Sequence, residues 1–236
     1  MHAQLTHTET MIARFAGVLY LIIIIFGITS EVALRGPLVN FADAGGTAEA
    51  ILGAINAFRL SIAADLVMAI ADAGLAILLF VLLRSAAPVL ALSAMVFRLI
   101  QSVMIGMNLM NMQGALLLVT AGQDLSGLAP GQSDAIALFL LNMHAHGYDL
   151  GLVFFGINSL MTGVLIWRSG LVHRSLGIGL GLAGMIYLTG SALRFMAPEA
   201  YDVFAPAYGI TVLAETAFCL ALLLKGVMPR RQVQPA

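Results

Sequence analysis

Long apolar stretches alternate along the whole chain with short turns that contain glycine, proline or charged residues. A helix needs about 20 mostly apolar residues to cross the hydrocarbon core of a bilayer. The apolar stretches therefore predict six membrane-spanning helices, at about residues 12–34, 58–83, 88–120, 132–167, 173–196 and 206–227.

The predicted architecture is all-α: an integral membrane bundle of six transmembrane helices that forms a single domain over residues 1–236. The third and fourth predicted spans are longer than a crossing requires, so we expect them to tilt or to project from the bilayer as a pair. The segment Gly36–Ala57 is expected to be the one long loop.

Composition supports this architecture and excludes several classes of protein. Hydrophobic residues make up 61% of the chain and charged residues 10%, against roughly 45–50% and 25% in a soluble domain. The net charge of −1 offers no basic surface for nucleic acid. A single cysteine, Cys219, allows neither an internal disulfide nor a paired-cysteine metal site. The expected partner is the lipid bilayer, and no cofactor motif is evident.

The basic residues are distributed unevenly between the two sides of the predicted bundle. Seven lie on the side of the chain termini: Arg14, Arg84, Arg168, Arg174, Lys225, Arg230 and Arg231. Three lie on the opposite side: Arg35, Arg59 and Arg194. Because basic loops stay in the cytoplasm, we expect both termini to be cytoplasmic. The first span should be retained, because it is too long for a cleavable signal peptide and others follow it.

Three ionisable residues are predicted to share a layer near the middle of the membrane. A helix rises about 1.5 Å per residue, and counting outward from each turn places Asp72, Arg98 and Glu215 at one depth. A lone charge at this depth costs roughly 2.5–3.5 kcal/mol on the insertion scale. We therefore expect Arg98 to pair with Asp72 or Glu215, leaving a surplus carboxylate as a candidate proton acceptor. The alternative is a purely structural ion pair that locks helices together.

A second polar layer is predicted nearer the outer surface. It comprises Arg59, Asp65, Asn108, His146, Asp149 and Arg194, with Glu31 close by. His146 and Asp149 are three residues apart and should share a helix face, while His144 should point largely away. A metal held by His146, Asp149 and Asp65 is one hypothesis, although no established metal-ligand motif is present. The alternative is a set of hydrogen-bonded polar groups at the interface.

The fifth predicted span is rich in glycine, with residues Gly177, Gly179, Gly181 and Gly184. Gly177 and Gly181 form a Gly-x-x-x-Gly pattern, which is typical of closely packed membrane helices. We expect close packing along this helix, and it is a candidate surface for oligomerisation.

Several stretches together resemble a known family. They are Arg14–Tyr20, Phe58–Leu60 followed by Asp65, Phe97–Gln101, His146–Tyr148 leading into Gly151–Gly156, and Glu215 before Lys225–Val227. The chain resembles the bacterial multi-pass membrane proteins known as domain of unknown function 4386, over nearly its whole length. The stretch Leu165–Gly170 departs from similar proteins, which often have a tyrosine-rich ending followed by a proline turn. The resemblance implies a bacterial inner-membrane protein and brings no assigned activity, cofactor or catalytic residue.

Taken together, the two polar layers favour a small permease, a channel-like protein or a proton-coupled carrier for an unknown small molecule or ion. Arg98 would be the central charge, and the outer layer would form a gate or binding cluster. One alternative is a membrane-embedded enzyme acting on a lipid or hydrophobic substrate, with His146, Asp149 and Asp65 as metal ligands or acid–base groups. Another is a non-catalytic partner or sensor subunit.

Overall fold

The computed structural model describes residues 7–121, 128–129 and 131–225, and every regular element in those residues is helical. The helices are α1 (His7–Ile28), α2 (Ala44–Gly53), α3 (Ile55–Leu83), α4 (Pro88–Ala121), α5 (Gln132–Ser169), α6 (Arg174–Met196), α7 (Pro198–Phe204) and α8 (Tyr208–Leu220). The predicted all-α fold is confirmed.

Six helical segments are long and apolar enough to cross a membrane. They are Thr8–Leu38, Ile55–Leu83, Pro88–Ala121, Gln132–Ser169, Arg174–Met196 and Pro198–Leu224. The last predicted span begins earlier than expected because α7 and a short 3-10 turn precede α8. Residues 226–227 of that span lie outside the described residues, as do Arg230 and Arg231.

Helices α4 and α5 are the longest, with 34 and 38 residues. At about 1.5 Å per residue, α5 is about 57 Å long, which exceeds the roughly 30 Å hydrocarbon core. The expectation that the third and fourth spans are unusually long is therefore confirmed.

The first span ends in an irregular segment that carries it beyond the predicted boundary. After α1 the chain forms a π-helical turn, Thr29–Arg35, and then a 3-10 turn, Gly36–Leu38. The backbone N–H of Gly36 donates to the carbonyl of Glu31, five residues earlier. This continuation places Arg35 inside the bundle, where the sequence had suggested a loop position.

The prediction that Gly36–Ala57 forms one long loop is wrong, because most of this segment is helical. Asp43 caps α2 by accepting a hydrogen bond of 2.9 Å from the backbone N–H of Gly46. Ala48 and Ile51 of this helix are buried in an apolar cluster with residues of α4 and α5. The connection is therefore packed onto the bundle.

Helix α5 packs closely against α6 through glycines on both helices. A Cβ atom on Gly177 would lie 2.7 Å from the carbonyl oxygen of Gly163, and one on Gly184 would lie 2.7 Å from that of Gly156. These glycines therefore serve packing within the chain. Oligomerisation through α6 stays a prediction.

The two ends of the bundle differ in polarity. Gly17 in α1 lies against Leu223, so the described ends of the chain meet at one end of the bundle, here called the terminal end. An apolar cluster of α1, α3, α4, α5, α6 and α8 residues fills it and is called the terminal-end core. The opposite end, called the distal end, contains most of the buried polar side chains.

Candidate functional site

A buried ion pair joins α3 to α4 near the middle of the bundle. Arg98 donates from Nε to Oδ1 of Asp72 at 2.7 Å, and its terminal nitrogen contacts the same oxygen. Ser102, one turn further along α4, donates to Oδ2 of Asp72 at 2.8 Å. Both carboxylate oxygens are therefore satisfied, as a charge in an apolar interior requires.

The guanidinium of Arg98 also lies between two aromatic rings. Its central carbon is 5.2 Å from the ring centre of Tyr20 and 5.0 Å from that of Phe155. Both distances are within the range of cation–π attraction. Arg98 thus has no open face toward lipid, and it links α1, α3, α4 and α5.

Glu215 on α8 lies near this pair but has a different direct partner. Tyr187 of α6 donates to its Oε1 atom at 2.6 Å. Among the described residues Glu215 takes part in no ion pair, although Arg98 and Asp72 are within electrostatic range. The structure thus brings the predicted middle layer together, and Arg98 pairs with Asp72 and not with Glu215.

A cavity of about 440 Å³ lies between the helices at the distal end. It is bounded by the end of α1, the first halves of α3 and α5, the end of α6 and residues of the last span. Its charged lining consists of Glu31, Arg35, Asp65, Asp149 and Arg194. Three acidic and two basic groups therefore face one space.

Three ion pairs, made by two arginines, organise the charged lining. Arg35 donates to Oδ2 of Asp65 at 2.7 Å and also contacts Glu31. Arg194 donates from Nε to Oδ2 of Asp149 at 2.6 Å. The pairs Arg35–Asp65 and Arg194–Asp149 each join different segments of the bundle, so charge cross-links the cavity wall, whereas Arg35–Glu31 lies within one helical turn.

Sequence reasoning missed Arg35 as a member of this site. The sequence predicts that the first span ends at residue 34, which leaves Arg35 as a loop charge on the outer side. One available signal was the spacing of four residues between Glu31 and Arg35, which places opposite charges together on a helix. The π-helical turn then orients Arg35 toward Asp65.

The two neighbouring histidines have the opposite placement to the one predicted. His144 is 4% exposed and lines the cavity, with Nδ1 3.3 Å from the carbonyl oxygen of Asn108. Its Nε2 atom has no hydrogen-bond partner in the part of the chain that the structure describes. His146 instead places Nδ1 3.0 Å from the carbonyl oxygen of Asn142 and packs near Phe195.

The rotation of α5 about its own axis explains why His144 lines the cavity and His146 does not. Its buried face follows Ala137, Leu141, His144, Gly151 and Phe155, which recur at helical spacing. The interval of two residues turns the side chain at 146 well away from that face.

Tyrosine side chains complete the polar lining. Tyr148, Tyr201 and Tyr208 all border the cavity. The ring centre of Tyr201 is 4.3 Å from the guanidinium carbon of Arg194, so this arginine is both paired and stacked. The lining therefore offers phenol groups and ring faces in addition to charge.

The other two predicted members of the outer layer lie apart from the cavity lining. Asn108 donates to the carbonyl of His144 at 2.7 Å and accepts from Asn111 at 2.9 Å, so it fastens α4 to α5. Arg59 is exposed and borders a surface groove with Gln113 and Thr120. The structure does not bring Arg59 to the cluster.

The hypothesised ligands His146, Asp149 and Asp65 do not form a metal-binding set. Asp149 and Asp65 are each paired with an arginine, and His146 does not border the cavity. No group of three histidine, cysteine or carboxylate side chains in the described residues has the geometry to hold a metal ion. The arrangement fits a cavity that binds through hydrogen bonds, charge and aromatic faces.

Comparisons with known proteins give one match. The family model described as Domain of unknown function (DUF4386) matches residues 15–226. No curated protein and no solved structure matches the chain.

Proposed function

The chain belongs to the family described as Domain of unknown function (DUF4386), and we propose that it is a carrier that moves a small polar solute across a membrane. The cavity at the distal end is the proposed binding site. The observation that carries this proposal is a charged cavity inside a bundle of helices that are long and apolar enough to span a membrane. Charged side chains are costly there and mark binding sites and pathways.

The size and lining of the cavity support a small solute. Its volume of about 440 Å³ falls within the roughly 300–1,000 Å³ typical of small-molecule sites. His144, with an unpartnered Nε2 among the described residues, would supply a hydrogen bond. The three tyrosines would supply further hydroxyl groups and ring faces.

Closure toward the terminal end supports a carrier over an open channel. From the cavity toward the terminal end, the interior is filled first by the ring of Phe155, then by the Arg98–Asp72 pair and then by the terminal-end core. A site accessible from one end and closed toward the other is one half of an alternating-access cycle. In that cycle the terminal-end core would open while the distal end closed.

We further propose that the membrane is the bacterial inner membrane and that both termini are cytoplasmic. The excess of lysine and arginine on the terminal side supports this orientation. The cavity would then face the periplasm in the conformation described here.

Cysteine accessibility tests the proposal without knowledge of the solute. Leu152 lines the cavity, whereas Leu165 on the same helix is buried in the terminal-end core. With Cys219→Ser as background, we expect Leu152→Cys to react with a membrane-impermeant thiol reagent added from the distal side. Leu165→Cys is the matched control and should be protected from that side.

A carrier must also expose the site from the other side. In vesicles of inverted orientation, Leu152→Cys should therefore react as well, and Leu165→Cys should become accessible. Reaction from the distal side alone would mean that the cavity belongs to a receptor or an accessory subunit and would contradict the carrier.

A ligand screen then identifies the solute. We would measure the thermal unfolding of the purified protein with amino acids, polyamines, sugars and organic acids, because a ligand that binds the folded state stabilises it. Any solute that raises the unfolding midpoint should accumulate in proteoliposomes containing the protein. Asp65→Asn, which breaks the ion pair with Arg35, should abolish that accumulation.

A further inference from the structure

Glu215 differs from the other carboxylates in the interior of the bundle. The other buried carboxylates among the described residues, Asp65, Asp72 and Asp149, each contact an arginine. Glu215 is 7% exposed and has the hydroxyl of Tyr187 as its direct hydrogen-bond partner, with no ion pair among the described residues. Among the described residues, Glu215 is thus the one buried carboxylate whose charge lacks a dedicated counter-ion.

The groups that face Glu215 do not supply a spare positive charge. Tyr187 faces it from α6, Tyr20 from α1, Asp72 from α3 and Arg98 from α4. Arg98 is already bound through two nitrogens to Asp72, so this pair is close to neutral as a unit. An ionised Glu215 would leave the cluster with a net negative charge in an apolar interior, which costs free energy. Binding of a proton to Glu215 neutralises that charge and removes the cost.

A short series of aromatic rings connects Glu215 to the cavity. The ring centre of Tyr187 is 5.7 Å from that of Tyr208, which borders the cavity. Phe155 also packs on Tyr187, with the ring centres 5.1 Å apart. The carboxylate therefore lies one layer of side chains beneath the binding space.

We propose that Glu215 binds one proton within the bundle and that this proton is coupled, through Tyr187 and Tyr208, to the conformation of the cavity. The proton passes from water in the cavity to a carboxylate oxygen of Glu215 and leaves a neutral carboxyl group. It is released as a proton to water on the other side after the bundle has opened there. This inference rests on the proposed carrier function.

Tyr187 is the positioning residue in this arrangement. Its hydroxyl donates to an ionised carboxylate, which is a strong, charge-assisted hydrogen bond. A proton on Glu215 removes that charge and adds a donor to the contact, so the Tyr187 hydroxyl is held less firmly. Because the Tyr187 ring packs on Tyr208, the change reaches the cavity wall.

Infrared spectroscopy of the purified protein in lipid tests proton binding directly. Difference spectra between neutral and alkaline buffer, in which exposed glutamates stay ionised, should contain the carbonyl stretch of a protonated carboxyl group. The band should shift when glutamate is labelled with ¹³C, and it should be lost in Glu215→Gln. Glu49→Gln is the matched control, because Glu49 is an exposed residue of α2, and it should leave the band unchanged. Tyr187→Phe, which keeps the ring and removes the hydroxyl, should move the band without removing it.

Coupling to the cavity is measured by the rate at which Leu152→Cys reacts with the impermeant thiol reagent. The reactivity of any thiol rises with pH, since the thiolate is the nucleophile. We therefore compare the pH dependence in Leu152→Cys alone, with Glu215→Gln and with Glu49→Gln. We expect Leu152→Cys alone and Leu152→Cys with Glu49→Gln to show the same pH dependence, which exceeds that of the thiol itself. In the protein with Glu215→Gln we expect only the pH dependence of the thiol.

The possible outcomes test proton binding and transport separately. A wild-type spectrum without a ¹³C-glutamate carboxyl band would overturn the inference and would leave the carrier proposal intact; this measurement needs no variant that folds. If the band is present but the pH dependence of labelling is identical in all three proteins, the proposed coupling between the proton on Glu215 and the cavity is wrong. Labelling of Leu152→Cys from one side only would reject the carrier, whatever the spectra show.

Discussion

His144 and His146 lie two residues apart on α5, and only His144 borders the cavity. The ring of His144 joins the interior face of the helix with Nδ1 near the Asn108 carbonyl oxygen, while His146 packs near Phe195. The two side chains therefore form a natural pair of test and control positions. They have the same chemistry and nearly the same depth, and they differ in whether they line the site.

The first prediction concerns this pair. His144→Ala removes a hydrogen-bonding group from the cavity and should weaken solute binding by about tenfold, the equivalent of about 1.4 kcal/mol. His146→Ala should leave binding within about twofold of the original. Saturation curves for uptake into proteoliposomes measure both effects. Equal losses in the two variants would indicate that the cavity is not the binding site.

The second prediction concerns the Arg98–Asp72 ion pair. Arg98→Ala leaves a buried carboxylate without its partner and should destabilise the protein by about 3–5 kcal/mol. The double variant Arg98→Met with Asp72→Leu removes both charges and should recover most of that stability. Thermal unfolding in detergent, followed by tryptophan fluorescence, compares the three proteins. A double variant as unstable as the single one would mean that the pair contributes more than charge compensation.

The third prediction concerns the contact between α5 and α6. A Cβ atom on Gly163 would lie 2.5 Å from the carbonyl oxygen of Gly177, and backbone atoms cannot move away cheaply. Gly163→Ala should therefore destabilise the bundle by about 1–3 kcal/mol. Gly181→Ala is the control, because nothing lies within 4 Å of a Cβ at that position. Similar unfolding midpoints for both variants would show that the two helices separate more easily than their packing suggests.

The fourth prediction concerns orientation in the membrane. A green fluorescent protein fused after residue 236 should fluoresce, because the C-terminus is expected to be cytoplasmic. Alkaline phosphatase inserted after Ala42, in the exposed turn before α2, should be active because that turn should face the periplasm. The reverse pattern of activities would place the cavity on the cytoplasmic side and reverse the direction of the proposed cycle.

Depth along the helices could be predicted from the sequence, because short turns fix the position of each residue relative to its neighbour. Counting from the turn between α3 and α4 placed Asp72 level with Arg98, and the two form an ion pair. The same counting placed Asp149 near Arg194, and these residues are also paired. Rise per residue is a property of the backbone, so it needs no knowledge of tertiary packing.

Rotation about the helix axis could not be predicted in the same way. In a membrane bundle both the lipid face and the packed face are apolar, so hydrophobic periodicity does not distinguish them. For this reason the sequence indicates His146 as a site residue, whereas the structure places His144 there. Arg59 was misplaced for the same reason, since its depth alone does not show that it is exposed.

Irregular backbone was the second source of error. The turn Thr29–Arg35 is π-helical, and none of its residue types predicts that geometry. Helix α2 did have a visible signal, because Asp43 stands three residues before Gly46 in the position of a helix cap. The small residues around it concealed the amphipathic pattern that predicts a packed helix.

The π-helical turn at the end of α1 also bears on how the family can vary. One residue fewer between Thr29 and Arg35 would restore ordinary α-helical geometry and rotate the guanidinium by about 100° around the helix axis. The ion pair with Asp65 would then be lost without any change to the residues that form it. We therefore expect the length of this segment to matter more for the ion pair than the identity of most of its side chains, and we expect related chains to keep the spacing between Glu31 and Arg35.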